Sequence, residues 1–136
     1  MTAAGVIQPS ASIASTGKSI RYIGDYAYAY SGLVENAAGG GGNPSTLLEF
    51  TTGSGLIVAN ISWGIKHGGG SDSYFTVKLN DLDVFNATAT TTGGAIPFTP
   101  LTFIIPPFTK VEVLWGIDAV TEDGTSQFTG RVYGAE

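Results

Sequence analysis

The sequence predicts an all-β chain: a single-domain antiparallel β-sandwich of jelly-roll type with about eight strands. Three observations carry that expectation. From residue 18 onward, apolar residues alternate with polar or small ones at period two, and no ten-residue window repeats them at helical spacing. Glycine-rich loops of unequal length punctuate the alternating runs: NAAGGGGNP at 36–44, HGGGSDS at 67–73, TATTTGGAIPFTP at 88–100 and DAVTEDGTS at 118–126. The 136 residues make one domain, long enough to fold without cross-links. Tight and long connections together favour a jelly roll over an up-and-down barrel, whose hairpins are uniformly short.

Each strand has its own signal. Residues 1–17 are small and polar and follow neither period; they read as an extended arm or as a terminus without fixed structure, with Val6, Ile7 and Ile13 as sparse apolar anchors. Residues 18–136 are the sandwich. In DYAYAYSGLV at 25–34, Tyr26, Tyr28 and Tyr30 share one face and Ala27, Ala29 and Ser31 the other. STLLEFTT at 45–52 places Leu48 and Phe50 together and Leu47 and Glu49 opposite. GLIVANISWGIKH at 55–67 lines up Ile57, Ala59, Ile61, Trp63 and Ile65. YFTVKLN at 74–80 turns Phe75, Val77 and Leu79 inward, and Asn80-Asp81 makes a tight turn into LDVFNAT. LTFII at 101–105 is stopped by Pro106 and Pro107. KVEVLWGID at 110–118 alternates Val111, Val113, Trp115 and Ile117 against Lys110 and Glu112. SQFTGRVYG at 126–134 closes the chain with Phe128 and Val132 inward.

Composition excludes several functions. With no Cys and one His, thiol chemistry, Cys-ligated zinc and multi-histidine metal sites fall away. Six basic residues and a net charge of −5 argue against nucleic acid as a partner. The longest apolar run is broken by Asn60 and Ser62, so no membrane span is expected, and the first residues lack the basic and apolar regions of a signal peptide.

Local patterns suggest little chemistry. STGKS at 15–19 resembles the end of a phosphate-binding loop, but Ser12 stands where that loop needs glycine, and a strand follows rather than a helix. His67 has Ser71, Asp72 and Ser73 near it in sequence, without a nucleophile elbow. Asp81 and Asp83 form an acid-x-acid pair of the kind that can share a divalent cation, set against the favoured reading of turn chemistry at Asn80-Asp81 and a solvent-facing Asp83. Asp118, Glu122 and Asp123 share one loop and are the weak metal candidate, set against plain solvated acids. No cofactor is expected. Tyr22, Tyr74 and Tyr133 lie opposite the apolar faces and are candidates for glycan contact. Leu47, Ile104 and Leu114 are apolar at outward positions and suggest a second buried surface, either sheet packing or a subunit contact.

The runs YAYSG at 28–32, TLLEFTTGSGLIVANI at 46–61, VKLND at 77–81, PLTFIIPPFTKVEVLW at 100–115 and FTGRVYG at 128–134 resemble small jelly-roll structural proteins of virus particles, in particular capsid decoration (cement) or minor capsid proteins of tailed phages. The apolar strand, two prolines and K-V-E-V strand are the most specific part. The resemblance covers about residues 20–136. It implies a non-enzymatic protein located in the virion, binding a major capsid protein or another virion protein, with itself as partner in trimers. Val6, Ile7, Ile13, Leu47, Ile104 and Leu114 are then the expected contacts to shell or subunit. The alternative is a glycan- or receptor-binding module.

Overall fold

The computed structural model describes residues 19–37, 43–65, 72–90, 96–97, 100–118 and 121–134. Eleven strands form among them: β1 (Arg21–Ile23), β2 (Tyr26–Tyr30), β3 (Val34–Asn36), β4 (Ser45–Thr51), β5 (Leu56–Ile65), β6 (Asp72–Leu79), β7 (Leu82–Thr90), β8 (Ile96–Pro97), β9 (Leu101–Ile105), β10 (Lys110–Ile117) and β11 (Glu122–Tyr133). Among the described residues no helix is long and apolar enough to cross a membrane.

The strands pair into two antiparallel sheets. The seven-stranded sheet runs β1-β2-β11-β5, with β8 and β9 beyond β5 and β3 on the first residues of β11; the four-stranded sheet runs β4-β10-β6-β7. Setting aside the short β1, β3 and β8, eight strands remain. Numbered along the chain, one sheet reads first, eighth, third, sixth and the other second, seventh, fourth, fifth. That order is jelly-roll connectivity, two Greek keys wound together.

Alternation fills the space between the sheets. Ile57, Ala59, Ile61, Trp63 and Ile65 of β5 face Phe75, Val77, Val111, Val113, Trp115 and Ile117 of the other sheet, all buried. On β2 the alanines face inward and the tyrosines outward. Ala29 leaves room for its cross-strand neighbour Phe128, whose ring meets Phe50 edge-on at 5.0 Å. Gly124 does the same for Trp115: a Cβ there would lie 2.6 Å from the indole. The indole nitrogen donates to the Val34 carbonyl at 3.2 Å.

Two polar clamps close the sandwich. Asn36 is buried; its amide donates to the Asn43 carbonyl and the Ser45 hydroxyl and accepts from Ile117 N–H, joining β3, β4 and β10. Thr52 and Thr109 exchange backbone and hydroxyl hydrogen bonds, and Thr52 also donates to the Pro106 carbonyl. Buried polar groups must be paired in this way or cost the fold.

Several sequence expectations shift. The expected run at 25–34 is two strands, because Gly32 turns the chain at φ +67. Leu47 is fully buried rather than outward. Val113 pairs with Leu48 and Leu114 with Thr46, so Leu47 is the extra residue of a β-bulge, and two neighbouring leucines face the core. The expected loop at 118–126 is strand from Glu122 onward, paired with β3. The Asn80-Asp81 turn is as expected: both residues have positive φ, and Leu79 pairs with Leu82 across them.

Candidate functional site

The register of the seven-stranded sheet lines up one outward residue from each of five strands. Ile23 pairs with Tyr26, Tyr26 with Arg131, Arg131 with Val58 and Val58 with Ile104. All five are exposed, Ile23 at 68% and Ile104 at 63%. With strands about 4.8 Å apart the row is roughly 19 Å wide. The Arg131 guanidinium lies 5.6 Å from the Tyr133 ring, and Tyr133 is itself exposed. The next row along the strands is Arg21, Tyr28, Thr129, Asn60 and Thr102, with Thr102 donating to Asn60 at 2.8 Å. Arg21 and Arg131 have no carboxylate partner among the described residues.

The outer face of the four-stranded sheet differs. One row reads Glu49, Glu112, Lys78, Asp83, with Lys78 bridging to Asp83 at 3.7 Å. Glu49 and Glu112 stand directly opposite each other, an arrangement that costs stability. Lys110 reaches Asp81 at 3.3 Å and Glu112 at 3.6 Å, and these carboxylates raise its pKa, Asp81 most.

The loop between β9 and β10 holds a third feature. Phe108 is 69% exposed at φ +55, a left-handed conformation that penalises bulky side chains. The Thr52–Thr109 clamp and the bond from Phe108 N–H to the Gly53 carbonyl, 2.8 Å, hold it there.

The expected site residues scatter. Ile104 lies in the outward row of the seven-stranded sheet. Leu114 is half-buried on the opposite face, between Thr46 and Thr76. Leu47 is core. Val6, Ile7, Ile13 and His67 fall outside the described residues. Tyr22 is not an outward platform: it packs against the core, its hydroxyl accepts from Gly53 N–H, and burial raises its pKa. Tyr74 donates to Asp118 at 2.5 Å, a bond that raises its pKa. Tyr22, Tyr74 and Tyr133 therefore do not converge. Nor do Asp118, Glu122 and Asp123: Asp118 holds Tyr74, while Glu122 and Asp123 sit on β11, where Glu122 accepts from Asp123 N–H. Among the described residues no three His, Cys, Asp or Glu side chains gather as metal ligands would. Sequence reasoning missed Ile23, Val58 and Phe108. Alternation marks Val58 as outward, but only the register of β1, β11 and β9 puts Ile23, Val58 and Ile104 in one row.

No protein-family model and no curated protein matches the sequence. Among solved structures, the chain is similar to one of infectious bursal disease virus, Gx strain, with a TM-score of 0.54 and 12% identity over 82% of this chain and 33% of that chain. It is also similar to one of the T13 IBDV viral particle, with a TM-score of 0.51 and 12% identity over 85% of this chain and 33% of that chain. The chain thus spans about a third of the length of the chains it matches. At 12% identity the likeness is one of fold, and the two-sheet architecture described above is shared with those virus structures.

Proposed function

We propose that this chain is a non-enzymatic structural protein of a virion, a capsid decoration protein that binds the shell and bridges neighbouring capsid subunits. Its contacts to the shell are residues 1–17 and the end of the sandwich that carries Phe108. The observation that carries this reading is Phe108 itself. A large apolar ring held in solvent on an unfavourable backbone gains nothing for the free monomer and gains burial when a partner covers it. The fold shared with virus structures supports the reading, as does the sequence resemblance to decoration proteins of tailed phages. Bridging would be mechanical: ligands that bind only the assembled shell stabilise it by mass action. The self-association is expected to give trimers.

The test adds purified protein to capsids stripped of it, using the full chain, the chain without residues 1–17, and Phe108→Ser. The full chain should bind and both variants should bind more weakly. Failure of the full chain to bind overturns the reading. The second reading, a glycan-binding module, rests on Tyr26, Tyr28 and Tyr30, which face outward along β2 with Tyr28 and Tyr30 rings 5.5 Å apart. Retention of the full chain on immobilised glycans, lost in Tyr30→Ala, would favour it.

A further inference from the structure

We propose that the two outer faces of the sandwich are the two halves of one contact between copies of this chain. The outward row Ile23, Tyr26, Arg131, Val58 and Ile104 of one copy would seat on the row Glu49, Glu112, Lys78 and Asp83 of the next. The proposal gives surfaces to the self-association in the reading above and rests on that reading to this extent.

Charge selects the occupant. The two outward rows of the seven-stranded face described above carry Arg131 and Arg21 and no carboxylate; Asp123 and Glu35 stand opposite each other toward the far end of β11. The four-stranded face carries three carboxylates and one lysine in a single row. Of the opposed pair, Glu112 has Lys110, which Asp81 shares, and lies opposite Lys78, which bridges to Asp83, while Glu49 makes no ion pair among the described residues. An incoming arginine relieves that repulsion. Two copies of the Arg131 row placed on each other would instead set arginine against arginine, which disfavours a symmetric pair about that row. The four-stranded face also offers apolar contacts for the isoleucines: Leu114 is half-buried there between Thr46 and Thr76, and Val84, beside Asp83, is 41% exposed and the extra residue of a bulge. Exposed apolar side chains in a contiguous row mark contact surfaces on soluble proteins. A contact between unlike faces is head-to-tail, so copies add in rings or open series rather than closing as pairs.

The test is sedimentation of the full chain, without any shell, over a range of concentration and salt. Wild type should associate, and rising salt should weaken it. Arg131→Glu and Glu49→Arg each change an exposed side chain, and each alone should weaken association about tenfold or more. Mixing the two variants should restore it, because each supplies the charge that the other lacks. Thermal unfolding confirms that both variants fold. A wild-type chain that stays monomeric at about 1 mM overturns the proposal, as does a mixture that associates no better than its parts. Shell binding is measured separately: a wild-type chain that stays monomeric yet binds stripped capsids sinks the face-to-face contact and leaves the virion reading standing, whereas one that associates but does not bind them does the reverse.

Discussion

On the four-stranded sheet the outward positions at one level are Glu49, Glu112, Lys78 and Asp83; on the seven-stranded sheet they are Ile23, Tyr26, Arg131, Val58 and Ile104. Inside, the two sheets are alike, with Val111 and Val113 on one and Ile57 and Ile61 on the other, all fully buried. The inner faces answer to the same demand, the removal of apolar surface from water. The outer faces do not. A charged row is what solvent favours, whereas isoleucines left more than half exposed contribute little to folding. The composition of the seven-stranded outer face therefore points to something outside the molecule.

The sharpest way to break this division is a pair of truncations. Leu47→Ala should cost about 2–5 kcal/mol in urea unfolding, because it empties a fully buried site in the bulge. Ile104→Ala should change stability by only about 0.5 kcal/mol. Equal losses would mean that the outward row belongs to the fold. Next in size is Gly124→Ala, expected to cost about 1–3 kcal/mol by forcing a methyl against the Trp115 ring. Glu49→Gln should go the other way and raise stability by about 0.2–1 kcal/mol, since it removes a like charge opposite Glu112; the gain should shrink in high salt.

The smallest expected effect is alkaline. Tyr74 is held neutral by its bond to Asp118, and Lys110 is held charged by Asp81 and Glu112, so both have raised pKa values in the folded state. For each, the unfolded chain loses its proton first. Their contribution is whole below pH about 10 and fades as pH rises through the folded values. The melting temperature should fall faster above that pH in wild type than in Tyr74→Phe.

Much of the fold was legible because one rule wrote it. Period-two alternation located the long strands, and Asn80-Asp81 announced its hairpin. What alternation could not show were its own interruptions. The bulge at Leu47 reverses the facing of one residue without any change in residue type, so a buried leucine reads as an outward one. The strand from Glu122 to Ser126 is built of loop-like residues, EDGTS, and exists because β3 and β5 pair with it. The site was less legible still. Ile104 could be read as outward from its strand alone, but a row that crosses five strands depends on register, which is set by long-range pairing. Phe108 carries no sequence signal beyond the two prolines before it, because its left-handed φ follows from the Thr52–Thr109 clamp.

The central claim is that the seven-stranded outer face is a surface to be covered. Hydroxyl-radical footprinting of the full chain across protein concentration tests it most directly. Tyr26 and Ile104 should lose reactivity as concentration rises, while Phe108, which the proposed function assigns to the shell, stays reactive. Tyr26 and Ile104 reactivity that holds constant from dilute to concentrated protein would contradict the claim.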